Sequence, residues 1–145
     1  MSKTYKIYTA GAMRNVNGFE QHGWRNSIED LIRERTDKSV IFVHPPKFYR
    51  YGEGLHKTEQ EVIEWEISQI LDSDIVIVNL SKIKDSIGTH MELGAIAAAN
   101  RLGKHIYVIG LWDSDTDHPW IDCALFRKEK TLADAVDYIV NYLLL

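Results

Sequence analysis

What the chain has little of narrows the field first. Its only cysteine, Cys123, cannot close an internal disulfide, so nothing points to an oxidising compartment and a reducing, cytoplasmic setting is expected. No stretch reaches the roughly 18 apolar residues of a membrane span, and the opening MSKTYKIYTAG has too short an apolar core for a signal peptide. Positive charge is scarce: a formal net charge of −4 argues against broad binding to nucleic-acid phosphates, which needs a basic surface to displace counterions. Any phosphate recognised here is expected to be a single small one. Gly11 opens neither a GxGxxG nor a Walker motif, which leaves dinucleotide and triphosphate cradles unsupported. The six histidines and Cys123 lack zinc-ligand spacing. Asp113, Asp115 and Asp117 imitate the start of a calcium loop, but His118 stands where glycine is needed and Ala124 where the closing glutamate belongs. Neither a metal nor a cofactor is expected, and no internal repeat, low-complexity tract or linker interrupts the chain.

What is present suits one domain over residues 1–145, since 145 residues with 45% hydrophobic content can bury a core without staples. Apolar, β-branched runs at Tyr5–Ala10, Val40–His44, Ile75–Leu80 and His105–Gly110 are each followed by enough chain for a helix, and Ala124–Arg127 is a candidate fifth strand. Near-continuous runs such as IVIVNL suit strands covered on both faces. The pattern predicts an α/β fold: a doubly wound, flavodoxin- or Rossmann-like parallel sheet of four or five strands with helices on both faces. Helices are predicted over roughly Phe19–Arg35, with Trp24, Ile28, Leu31 and Ile32 on one side, over Thr58–Asp72 behind a Thr58/Glu61 capping box, and from about Thr131 to Leu144. Two longer loops remain, the basic and aromatic Pro45–Lys57 and the acidic Leu111–Asp122. Phe48, Tyr49 and Tyr51, interleaved with Lys47 and Arg50, suit either a solvated flap or a lid that stacks on a base. Ligands of such sheets bind at the carboxyl ends of the strands, which directs attention to the segments after Ala10, Leu80 and Gly110.

Two carboxylates stand out. Glu92 follows the third strand on a helix that runs on through AIAAAN, and it shares a face with Ala95, Ile96 and Ala99. A carboxylate on a buried stripe needs a reason. One is structural, because Thr89 and Glu92 have capping-box spacing; the other is chemical, because an ionised carboxylate near a helix start can serve as a nucleophile. Glu66 interrupts the stripe of Ile63, Ile67 and Ile70, where burial would raise its pKa and make it a proton donor near neutrality. It lies roughly 12 Å along its helix, so it meets Glu92 only if that helix leans across the site. An ionised and a protonated carboxyl together form the pair used in glycoside chemistry with a covalent intermediate.

The segment Gly88-Thr89-His90-Met91-Glu92-Leu93-Gly94, with Tyr8-Thr9-Ala10-Gly11, Trp24-Arg25 and Asp74-Ile75-Val76-Ile77-Val78 in the same order, resembles the nucleoside 2-deoxyribosyltransferase superfamily, which includes the deoxynucleoside 5′-monophosphate N-glycosidases. The resemblance implies cleavage of the N-glycosidic bond of a 2′-deoxynucleoside or its monophosphate: Glu92 attacks C1′, Tyr8 orients the sugar, and Glu66 protonates the departing base. It further implies substrate contacts from Gly11, Arg14, Ser86 and Gly88, with Ser86 and Arg14 near a 5′-phosphate. A nucleoside or nucleotide is then the partner, and a homodimer or higher homo-oligomer the assembly. The family usually has aspartate where Glu66 stands, and proline or serine in place of Ala12. Its transferases take a polar C-terminus from a neighbouring subunit, whereas this sequence closes on Tyr142-Leu143-Leu144-Leu145, which favours hydrolysis over base exchange. The alternative is a module on the same fold that binds a nucleotide without turning it over.

Overall fold

Strands and amphipathic helices alternate to build a five-stranded, all-parallel sheet in the computed structural model, which describes residues 3–13, 17–48, 58–112 and 118–145, without the side chains of residues 18 and 19. The strands are β1 (Thr4–Ala10), β2 (Ser39–Val43), β3 (Ile75–Asn79), β4 (Tyr107–Leu111) and β5 (Arg127–Glu129). They lie in the order β2-β1-β3-β4-β5, the flavodoxin-like form of the doubly wound sheet. The order reverses between β1 and β3, where Tyr8 pairs in register with Val76 on one side and with Val43 on the other. All residues of β3 but its last are buried, as its unbroken apolar run requires of a strand covered on both faces.

Successive residues of β1 face opposite layers. Ile7 joins the core that packs Trp24, Ile28 and Ile32 of α1 (Gly18–Arg35) and Ala135 and Val136 of α6 (Leu132–Tyr138). Tyr8 joins the other core, with Ile70 of α3 (Glu59–Leu71) and Leu93 and Ile96 of α4 (Ile87–Arg101).

The main departures from the expected elements lie in the second half of the chain and in the loop after β2. Ala124 ends a short helix, α5 (Pro119–Ala124), begun by Pro119, whose missing N–H costs nothing at a helix start; the fifth strand therefore begins only at Arg127. The closing helix keeps its expected span behind the Thr131 cap but widens into a π-helical turn over Ile139–Leu143. Within the expected loop Pro45–Lys57, Pro45–Phe48 forms one helical turn, α2, with both prolines buried and the Phe48 ring 5.1 Å from that of Trp65. The rest of the candidate lid, including Tyr49, Arg50 and Tyr51, and the acidic run Asp113–Asp117 lie outside the described residues.

Candidate active site

Helix α4 starts earlier than a Thr89 cap would allow. Ser86 is the N-cap: its Oγ accepts from the Thr89 backbone N–H at 3.4 Å and shares a 2.6 Å hydrogen bond with the Thr89 hydroxyl. Glu92 consequently falls in the second turn, beyond the unsatisfied N–H groups of the helix start, and the capping-box explanation for it fails. Glu92 is 8% exposed, and its Oε2 has no hydrogen-bond partner among the described residues.

Glu66 reaches the same place from α3. The Thr58/Glu61 capping box forms as expected and fixes the helix phase. The buried stripe is Val62 and Ile70, with Glu66 one turn from each, whereas Ile63 points out at 40% exposure. Helix α3 packs against α4, and Glu66 lies near enough for its charge to act on Glu92, on Tyr8 and on Arg25. Tyr8 is fully buried and its Oη is also without a partner. Burial first, then the Glu92 and Glu66 charges, raise the Tyr8 hydroxyl well above its ordinary range. Tyr8 and Glu92 are close enough to bias each other's protonation, yet Oη and Oε2 stop short of hydrogen-bond geometry.

The protonation of the carboxyls departs from the expected ionised Glu92 beside a protonated Glu66. Burial, with the Glu66 charge adding to it, pushes Glu92 up to about 8, against the opposing pull of Tyr8 and Arg25. Glu66 is pushed up to about 7, again chiefly by burial, with Arg25 opposing and Glu59 adding. Desolvation overrides the helix dipole, which acts within the first turn and so falls short of Glu92. Near neutrality the two carboxyls hold at least one proton between them.

Arg25 escaped the sequence reading as a site residue, although the signal was present: it lies three residues before Ile28 and seven before Ile32 on the apolar stripe of α1. It is 1% exposed, with its guanidinium 4.7 Å over the Trp24 ring. Gly11 packs against this pair; a β-carbon there would lie 3.2 Å from Trp24 Cζ2 and 3.5 Å from Arg25 Nη2. Gly88 lies in the first turn of α4, exposed, with open space where a side chain would stand. Arg14 lies outside the described residues.

A cavity of about 420 Å³ opens where the topology directs, at the carboxyl ends of β1, β3 and β4, between Ala12, Trp24, Asn79, Ser81, Lys82 and Trp112. Another of about 720 Å³ lies between α4 and α5, against His90, Ala97, Arg101 and Trp120. Neither is lined by Glu92, Glu66 or Tyr8.

No protein-family model and no curated protein matches the sequence. Solved structures do match the fold. A conserved protein from Enterococcus faecalis V583 superposes with a TM-score of 0.72 at 14% identity, covering 94% of this chain and 98% of that one. A 2-deoxyribosyltransferase from the psychrotolerant bacterium Bacillus psychrosaccharolyticus gives 0.63 at 20% identity, covering 92% and 91%. The chain shares its fold with a 2-deoxyribosyltransferase. The likeness spans nearly the whole of both chains, and the doubly wound sheet carries Tyr8 on β1, Glu66 on α3 and Glu92 on α4.

Proposed function

We propose that this protein is an enzyme that cleaves the N-glycosidic bond of 2′-deoxynucleosides or their 5′-monophosphates. The observation that carries the proposal is the buried Glu92, with one carboxylate oxygen unpartnered, facing the half-buried Glu66 and the buried Tyr8, with both carboxyls raised chiefly by desolvation. A buried carboxyl that neither caps a helix nor completes its hydrogen bonds destabilises the fold, and such sites are retained for chemistry.

In the proposed reaction a Glu92 carboxylate oxygen attacks C1′ and forms a glycosyl ester while the bond from C1′ to the base nitrogen breaks. The base leaves with the proton that Glu66 delivers. Glu66, now ionised, takes a proton from water, whose oxygen attacks C1′ and releases Glu92 as carboxylate. A free base attacking in place of water gives transfer instead of hydrolysis. Tyr8 orients the sugar ring, and Ser86, Gly88, Gly11 and Arg14 are the proposed substrate contacts. The fold shared with a 2-deoxyribosyltransferase described as a biocatalyst for nucleoside synthesis supports the same class of bond.

The test is release of base from deoxynucleosides and deoxynucleotides, with and without a second base. Glu92→Ala should abolish release. Glu66→Gln should slow it by about 10²–10⁴-fold for an ordinary base, but far less for a weakly basic leaving group that departs without a proton. Tight binding of nucleotides by the wild type with no base released would replace this reading with a binding module.

A further inference from the structure

The buried guanidinium of Arg25 has no task in the reaction as drawn, yet it is held with unusual care. Nη1 donates to the Gln21 carbonyl at 2.6 Å, Nη2 to the Gly11 carbonyl at 3.4 Å, and Nε to Thr9 Oγ1 at 3.2 Å. Behind Thr9 a polar chain runs through the core. Thr9 Oγ1 is 2.8 Å from His44 Nδ1, His44 Nε2 is 2.6 Å from Glu29 Oε1, and Glu29 Oε2 accepts from Arg33 Nε at 2.8 Å. His44 is 2% exposed, and burial lowers its pKa, so the ring is neutral. A neutral ring gives every member of the chain one role: Nε2–H donates to Glu29, Nδ1 accepts the Thr9 hydroxyl proton, and Thr9 Oγ1 is left to accept from Arg25.

All three Arg25 contacts are with neutral oxygens, and no ion pair joins it to Glu66 or Glu92 among the described residues. Its charge is nonetheless felt by both carboxyls and by Tyr8. Burial lowers Arg25 to about 10, which leaves it charged at neutral pH. The groups facing it are Tyr8 from β1, Glu66 from α3 and Glu92 from α4, with His44 behind Thr9 and Lys47 of α2 acting on His44. Glu29 and Arg33 cancel each other, and Tyr8 and His44 are neutral. A buried charge without compensation is costly, so the cluster is balanced only when the two glutamates together carry a single negative charge.

We propose that Arg25 is a positioning residue: its guanidinium, steadied through Thr9 by the His44–Glu29–Arg33 chain, is the counter-charge that sets the Glu66–Glu92 pair to one proton and one negative charge. That state contains the attacking carboxylate and the acid together, so the inference rests on the glycosidic reading and supplies what that reading needs before substrate arrives. Without Arg25 the pair would stay doubly protonated to higher pH, and with both protons on no nucleophile exists.

The experiment pairs two readouts on wild type, Arg25→Met, Arg25→Lys and Thr9→Val: the pH profile of kcat/KM for base release, and a ¹³C NMR titration of labelled glutamate carboxyls in the substrate-free protein. In Arg25→Met the first ionisation of the pair and the acid limb of the profile should both move up by about one pH unit or more. Thr9→Val, isosteric but without the acceptor oxygen, should move them the same way by less, and Arg25→Lys should return them toward wild type. If Arg25→Met does not fold, Thr9→Val decides alone. Folded variants whose carboxyls titrate as in wild type overturn the inference, even if stability falls, and leave the glycosidase reading in place. Titrations that shift as stated in a protein that releases no base overturn the glycosidase reading and leave the charge balance standing.

Discussion

At position 11 a β-carbon would lie 3.1 Å from Asn79 Cβ and 3.2 Å from Trp24 Cζ2, tighter than most packed carbons, so that a neighbour has to give way. Gly11→Ala should therefore cost about 1–3 kcal/mol by overpacking, read as a lower denaturation midpoint together with a change in Trp24 fluorescence. An unchanged midpoint would show that α1 yields freely. Gly11 is a proposed substrate contact, and packing asks for the same residue, since Asn79 and the Trp24–Arg25 wall leave little room for a side chain. Other residues were legible in different degrees. Glu92 and Glu66 could be singled out because each interrupts an apolar helical stripe, a conflict visible from spacing alone. Arg25 shows the same conflict on the α1 stripe, but an arginine beside a tryptophan also suits a side chain that snorkels to solvent. Thr9 and His44 are unremarkable in sequence, since partners 35 residues apart become a pair only when β1 and β2 align.

Helix α4 depends on a serine for its start. Ser86→Ala removes the side chain that accepts from Thr89 N–H and should destabilise the protein by about 1 kcal/mol, measured by chemical denaturation. If Ser86 also contacts substrate, KM should rise beyond what the loss of stability explains; an unchanged KM would confine Ser86 to capping. Thr89 could not be excluded as the cap from local sequence, because Ser86 and Thr89 both have capping chemistry and Glu92 follows Thr89 at the right interval. The choice fell to Ser86 because the 3₁₀ turn Ile83–Asp85 leads the chain into the helix at Ile87. In α3 the caps were unambiguous, and the box formed as read. Its buried face was misread by one position, Val62 for Ile63, because at that helix start either residue continues the apolar stripe and only the docking angle on the sheet selects one.

For the molecule as a whole, the raised carboxyls make stability depend on pH in a definite direction. An unfolded chain releases these protons near the ordinary value of 4.5, whereas the folded pair keeps them until about 7 for Glu66 and about 8 for Glu92. Between those limits the folded state binds more protons than the unfolded one, so stability falls as pH rises. Glu92→Gln removes part of that dependence. Its advantage in denaturation midpoint over wild type should widen between about pH 5 and pH 8, and a gap that is constant or narrows would refute the burial of an ionisable pair. The order of elements and the parallel sheet were written in local pattern, because strand and helix periodicities are properties of neighbouring residues, whereas docking chose the buried face of α3 and the entering turn chose the cap of α4. The meeting of Glu66, Glu92, Tyr8 and Arg25 was not. Four separate elements bring these side chains to one edge, and the raised pKa values of the two carboxyls arise from burial and neighbouring charge, quantities that exist only once the layers have closed.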